Sequence, residues 1–366
     1  MTIIHLSTPQ SWRGGEQQVA YLIEELEKSG VDQILITPYG SRLSAYCKSR
    51  NITIYHFKRC SALNVQMALL LRKLCKRVQE PILHAHDANA HTAAFLSHLF
   101  FGNRAPLLIS RRVDFPIHRS LFSRLKYNHK RIKRIICVSE KIKEIMVPAL
   151  KDPSVLQVIY SGIDLNRFDD CHNRNLLRKE FKIPADHTLV ANVAAIVPHK
   201  DYYTFVDTAA HVLKVHPKTT FLIIGEGEER EQITAYIHEK GLQKSVLLTG
   251  FRHDITQILP EIEVFLITSQ TEGLGTAILD AFACGIPVVA TRAGGIPEIV
   301  NDQRTGLLAE VKDANALAEK VLRFIHDREL KAQIVARAKE EIRNFTRQQT
   351  ARITMETYEE ITKESY

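Results

Sequence analysis

The sequence predicts an α/β chain of two doubly wound, Rossmann-like domains, and three observations carry that expectation. Short apolar β-rich runs alternate with helix-period segments along the chain. The strands are near-continuous in apolar residues, as strands of parallel sheets covered on both faces are. At 366 residues the chain is long for one domain and comfortable for two.

In the first half, Thr2–Ser7 reads as a strand and Arg13-Gly14-Gly15 as the turn after it. Val19, Leu22, Ile23 and Leu26 then recur at helical spacing. Gln33–Thr37 and Thr53–His56 read as strands and Val65–Val78 as a helix. The strands ILHAH (Ile82–His86), LLIS (Leu107–Ser110), RIICVS (Arg134–Ser139) and VLQVIY (Val155–Tyr160) follow. A polar stretch, Asn166–Asn175, marks the domain break. The second set is LVANVAAI, TFLIIG, SVLLTG, EVFLIT and IPVVAT, with helices between. The expected boundaries are residues 1–165 and 170–344. A final helix, about 345–366, has Ala351, Met355 and Tyr358 along one face. Ligands of such sheets bind at the carboxyl ends of strands, so two of these domains imply a cleft between them.

Composition narrows the class. With 45% hydrophobic and 25% charged residues, this is an ordinary globular chain. Cys47, Cys60, Cys75, Cys137, Cys171 and Cys284 are scattered with no CxxC pair, which favours reduced, packed thiols in a cytoplasmic setting. The N-terminus lacks a signal-peptide pattern, and no apolar run approaches the ~18 residues that span a bilayer. The net charge of +8 is uneven: Arg111 to Lys143 holds eleven Lys/Arg against Asp114 and Glu140. That segment reads as a solvated helix face, an anionic membrane surface or a grip on an anionic acceptor. Nucleic acid is disfavoured, because no reader motif accompanies the charge.

The chemistry concentrates in TEGLGTAILDAFACG, Thr271–Gly285. EVFLIT is a strand, so Glu272 sits at its carboxyl end beside a glycine-rich helix start, where exposed N–H groups favour anions. Asp280 lies one turn beyond Thr276 on the same face. Gly14-Gly15 opens the first helix in the same way. GEGEER (Gly225–Arg230) is a third strand-to-helix turn, but it lacks the later glycine of a dinucleotide fingerprint. Lys200 is a lone base at another strand end. His84, His86 and His91 have no firm metal spacing and read as polar cleft or packed side chains.

Together these motifs resemble the retaining glycosyltransferases of family four, which have the GT-B fold. The resemblance spans essentially the whole chain and is densest from Val264 to Leu308. GGEQQ, VIYSGID, VPHKD and LIIGEGEER match in order and spacing. It implies transfer of a sugar from a nucleotide-diphosphate donor, a UDP-sugar being favoured, to a saccharide or lipid-linked acceptor. Lipopolysaccharide or another bacterial surface polysaccharide is the implied product, made at the inner face of the cytoplasmic membrane. Glu272 and Lys200 would be the catalytic pair. Gly14, Gly15, Gly273, Leu274, Gly275 and Thr276 would hold sugar and phosphate, and Asp280, Gly225 and Arg252 the nucleotide. Arg111, Arg112 and His86 would face the acceptor. The resemblance also implies no metal and no cofactor, with front-face attack and the diphosphate taking the acceptor proton. The C-terminal helix is expected to pack back on the first domain.

Three departures stand out. Asp280 occupies a position where the family has Glu. The arginine of the family's basic pair falls at Ala195, leaving Lys200 alone. Arg111-Arg112 replaces a histidine after the LLIS strand, and one of the two is expected to supply the missing charge. The alternative readings are a nucleotide-sugar epimerase of the same fold and a non-catalytic nucleotide-binding subunit.

Overall fold

The computed structural model describes residues 1–50, 52–58, 65–117 and 120–366; Cys60 and Arg119 lie outside them. The chain divides into two compact units, Met1–Ile163 with Thr346–Tyr366, and Asp164–Phe345.

The first unit holds a seven-stranded parallel sheet. Its strands are β1 (Thr2–Leu6), β2 (Asp32–Pro38), β3 (Thr53–Phe57), β4 (Pro81–Ala85), β5 (Leu107–Arg111), β6 (Ile132–Cys137) and β7 (Leu156–Val158). They lie in the order β3-β2-β1-β4-β5-β6-β7. The order reverses between β1 and β4, so the loops after those two strands meet at the switch point. Helix α1 (Gly14–Lys28) follows β1, α2 (Ala88–Phe101) follows β4, and α3 (Leu121–Tyr127) follows β5. The C-terminal helix, here α5 (Arg347–Ser365), packs on the same unit. Its Ala351, Tyr358 and Ile361 meet Leu22 of α1 and Ile82 and Ile136 of the sheet. A polar contact fixes that helix too: Glu24 on α1 takes Arg347 Nη1 and Arg50 Nη2, each at 2.5 Å.

The second unit holds six parallel strands: β8 (Thr188–Val193), β9 (Thr219–Ile224), β10 (Val246–Gly250), β11 (Val264–Ile267), β12 (Val288–Thr291) and β13 (Leu307–Ala309). Their order is β10-β9-β8-β11-β12-β13. The reversal falls between β8 and β11, and helix α4 (Thr276–Ala283) follows β11. The polar stretch after Asn166 is part of this unit. Buried Glu261 accepts from the backbone N–H of Leu177 at 3.1 Å and of Arg178 at 3.2 Å, capping the short helix Leu176–Glu180. A carboxylate satisfying helix-terminal N–H groups holds such a segment firmly.

The five described cysteines are free thiols. Cys171 and Cys284 share a hydrogen bond, which ties the polar stretch to the end of α4.

Candidate active site

The switch point of the second sheet assembles the central pair. After β8 the chain passes through Ala194–Val197 into a 3-10 turn, Pro198–Lys200. Asp201 then caps the next helix, its Oδ1 accepting from the Thr204 N–H at 3.2 Å. The loop after β11 is stitched to this turn. Thr268 Oγ1 donates to the carbonyls of Lys200 and Asp201, at 3.1 and 2.9 Å, and the Gln270 N–H donates to the His199 carbonyl at 2.8 Å. Lys200 Nζ is thereby brought onto Glu272 Oε2 in a charge-assisted hydrogen bond. Their side chains are only 17% and 14% exposed. A pair so sheltered is screened less than a surface ion pair, and either partner left alone would be costly. The Gly295 N–H binds the Glu272 carbonyl at 2.9 Å and fixes the acid's backbone.

Gly275 precedes α4 with φ +88°, a left-handed conformation that side-chain-bearing residues rarely adopt. Gly273, Leu274 and Gly275 are buried, and Thr276 opens the helix. The first N–H groups of α4 therefore lie beside the Lys200–Glu272 pair, at the positive end of the helix.

Asp280 lies one turn into α4 from Thr276 and is half-buried. Its Oδ1 is buried with no hydrogen-bond partner among the described residues. Burial pushes its pKa up to about 7, and the positive charge of Arg167 only partly opposes that. A buried acceptor without a donor costs free energy unless a ligand satisfies it. Periodicity did not reveal Arg167, which sits in the polar stretch read as a domain break.

Gly225 and Gly227 have a packing reason. A Cβ on Gly225, at φ +153°, would lie 1.9 Å from the Ala194 carbonyl oxygen, and one on Gly227 would lie 2.0 Å from that of Ile196. The Ile196 N–H donates to the Glu226 carbonyl at 3.0 Å. The GEG turn thus braces the Ala194–Val197 segment leading to Lys200. Arg252 is committed elsewhere: its Nη1 meets both Glu180 oxygens at 2.7 and 2.8 Å, and its Nε and Nη2 grip Asp254 at 2.9 and 2.7 Å. The two carboxylates raise its pKa further.

In the first unit, Gly14 and Gly15 form the first turn of α1. The Arg13 N–H donates to Glu16 Oε2 at 2.9 Å. The structure separates the two adjacent arginines. Arg111 turns to the Phe115 carbonyl and, at 3.3 Å, to the Tyr127 hydroxyl. Arg112 lies against the glycine turn, its Cδ 3.9 Å from where a Gly15 Cβ would stand. Its Nη1 reaches Ser161 Oγ at 3.4 Å, while its Nε is buried with no hydrogen-bond partner among the described residues. Burial lowers its pKa to about 10 despite the nearby Glu16.

His86 is interior. Its Nε2 is 3.0 Å from His5 Nδ1, and His84 bridges the Tyr358 hydroxyl at 2.5 Å and Ser110 Oγ at 2.8 Å. Nitrogens of His5, His84 and His86 all fall within 4.8 Å of one another. Burial holds all three pKa values down, that of His5 to about 4, so this cluster is neutral near pH 7. His5 escaped the sequence reading because a lone histidine in an apolar strand carries no spacing signal.

Residues 12–167 match the model described as Glycosyltransferase Family 4, and residues 173–341 the model Glycosyl transferases group 1. The chain belongs to the glycosyltransferases of family four. The transferase is 25% identical to the lipopolysaccharide core biosynthesis glycosyltransferase LpsE of Rhizobium meliloti, over 89% of this chain and 90% of that protein. It is 26% identical to an Escherichia coli UDP-Gal:alpha-D-GlcNAc-diphosphoundecaprenol alpha-1,3-galactosyltransferase, over 73% and 72%. A solved glycosyltransferase of Rickettsia africae shares the fold at TM-score 0.87 and 20% identity, covering 100% of this chain and 99% of that one. HepE of Anabaena, solved with UDP and glucose, does so at 0.84 and 21%, covering 98% and 100%. The fold is GT-B, and several of the chain's relatives are named as glycosyltransferases of bacterial lipopolysaccharide or surface-polysaccharide synthesis. No helix among the described residues is long and apolar enough to cross a membrane.

Proposed function

We propose that this glycosyltransferase moves a hexose or related sugar from a UDP-sugar to a hydroxyl of a saccharide or lipid-linked acceptor, with retention and without a metal. The observation that carries the reading is the second unit's arrangement: a Lys200–Glu272 pair at the N-terminus of α4 and an unpartnered Asp280 one turn along it. Glu272 would accept from donor-sugar hydroxyls. Released from Glu272 as the sugar enters, Lys200 would face the diphosphate. The first N–H groups of α4, near Gly273–Thr276, would add to that stabilisation. Asp280 would take the two ribose hydroxyls, as short acids do in dinucleotide folds.

In the step proposed, the acceptor oxygen attacks the anomeric carbon as the bond from that carbon to the diphosphate oxygen breaks. The bonding pair leaves on the diphosphate, which takes the acceptor's proton, so no protein base is consumed. Groups already positioned for the developing charge lower the barrier without reorganising. Within the first unit, Gly14 and Gly15 open a helix with Arg112 lying against them, an arrangement that by itself suits an anion. Work at the inner face of the cytoplasmic membrane follows from a lipid-linked acceptor.

The test is incubation with radiolabelled UDP-, GDP- and ADP-sugars, following slow donor hydrolysis and then transfer across an acceptor panel. UDP-sugar cleavage with an α-configured product from an α-linked donor is expected. Absence of both turnover and nucleotide binding would remove the reading, and product formed without acceptor or water would point to an epimerase.

A further inference from the structure

The first unit exposes an apolar strip that its own core leaves uncovered. On α3, Leu121 is 74% exposed and Leu125 56%; four residues apart, they share one face. Phe122, also exposed, lies edge-on to Phe95 of α2 with ring centroids 5.6 Å apart. Leu99 is one turn along α2 from Phe95, and Phe100 follows it at 69% exposure. The strip thus runs from the end of α2 across the outer face of α3. Val113 and Phe115, in the loop before α3, add two more exposed apolar side chains.

The surrounding charge is predominantly positive. From Ala88 to Ser139 the sequence has ten Lys/Arg and a single acid, Asp114. Several of the ten are engaged. Lys126 turns inward to Thr92 Oγ1 at 3.2 Å, Arg111 serves Phe115 and Tyr127, and Lys133 and Arg134 pair with Glu360 or Glu364. Arg104, just past α2, Arg124 on α3 and Lys130 beyond it remain exposed, with no acidic partner among the described residues. A second copy of this chain would bring one basic rim against another, which opposes association. An interface of anionic headgroups over acyl chains suits both halves of the surface, apolar tip and cationic rim.

We propose that Leu99, Phe100, Leu121, Phe122 and Leu125, with Arg104, Arg124 and Lys130 at their rim, form a docking face for an anionic lipid bilayer. The apolar side chains enter the headgroup–acyl boundary and the basic ones meet the lipid charge. This gives a surface to the membrane location in the reading above and rests on that reading only for the lipid-linked acceptor.

The experiment is co-sedimentation of the full chain with vesicles of phosphatidylglycerol and phosphatidylcholine, and of phosphatidylcholine alone, at low and high salt. Wild type, a Leu121→Glu/Leu125→Glu double variant and an Arg124→Glu/Lys130→Glu double variant are compared, with UDP-sugar hydrolysis in solution measured on each. The expected result is binding to the anionic vesicles that weakens with salt and drops at least about tenfold in both variants, with hydrolysis unchanged. Binding that is equal in all three proteins, or no binding by wild type, overturns the proposal. So does a concentration-dependent dimer that the apolar variant abolishes, because a second copy then covers the strip. Vesicle binding by a wild-type chain that cleaves no nucleotide sugar leaves the docking face standing and removes the donor reading instead.

Discussion

Lys200 and Glu272 neutralise one another at the junction of β8 and β11, the two strands between which the order of the second sheet reverses. Their loops are tied by backbone and threonine hydrogen bonds, so the pair is built by the fold and not by flexible side chains alone. A donor that binds through both residues must separate them, exchanging one partly buried ion pair for two sets of ligand contacts. Glu272→Gln is therefore expected to lower sugar turnover about 10²- to 10³-fold, the usual effect of losing one preorganised contact to the reacting centre. Lys200→Ala should do at least as much. Initial rates of UDP-sugar cleavage, with circular dichroism to confirm the fold, check this. Activity within threefold of wild type in Glu272→Gln would take that acid out of the mechanism.

Asp280 predicts two opposite pH trends. Its folded pKa, about 7, lies above that of an exposed aspartate because burial disfavours the charge. Between roughly pH 4 and pH 7 the folded chain holds a proton there that the unfolded chain releases. This site's contribution to stability is therefore greatest at low pH and declines as pH rises through that window. Nucleotide binding should move the other way, because ribose hydroxyls donate to the ionised carboxylate. UDP affinity is expected to rise from pH 6 to pH 8, and Asp280→Asn should flatten both trends. Calorimetric titration and thermal melts at the two pH values check them.

Gly227→Ala should disable the site from behind. The added methyl would meet the Ile196 backbone at 2.0 Å, and backbone cannot yield as a flexible side chain can. The Ala194–Val197 segment must shift, and with it the turn carrying Lys200. A loss of turnover larger than the loss of thermal stability is expected, and equal activity to wild type would show that the turn has slack.

The C-terminal helix is held partly by charge. Arg347→Ala would leave Glu24, 7% exposed, with Arg50 and Tyr46 as its side-chain partners among the described residues. Because Glu24 keeps Arg50, the loss should stay below the ~3 kcal/mol of a buried charge left wholly unpaired. Hydrogen–deuterium exchange should quicken in residues 347–365 while the second unit stays protected. Uniform exchange in both units would contradict a local role.

Much of this was legible in the sequence, for physical reasons. The strands of parallel sheets are continuous apolar runs, and Thr276–Ala283 reads as a helix from its glycine start and apolar face. β13 went unread because three residues, Leu307–Ala309, are too few to carry a period. The order of β8 beside β11, which joins Lys200 to Glu272, is a property of topology that no local pattern encodes. Two glycines with one spelling had different reasons. Gly275 is set by a left-handed backbone, and Gly227 by the closeness of another chain segment. The neighbours Arg111 and Arg112 could not be told apart until the strand end fixed which side each faced. Arg252 looked available to a nucleotide, yet two carboxylates already hold it.

The central claim is that one helix of the second unit holds the two ends of a nucleotide sugar, Glu272 before it at the sugar and Asp280 within it at the ribose. Titrating UDP into wild type, Glu272→Gln and Asp280→Asn by calorimetry tests this most directly. UDP has a ribose and no transferred sugar, so Asp280→Asn should weaken it by about tenfold or more, while Glu272→Gln leaves its affinity within about threefold. Unchanged UDP affinity in Asp280→Asn, or loss of UDP binding in Glu272→Gln alone, would contradict the assignment.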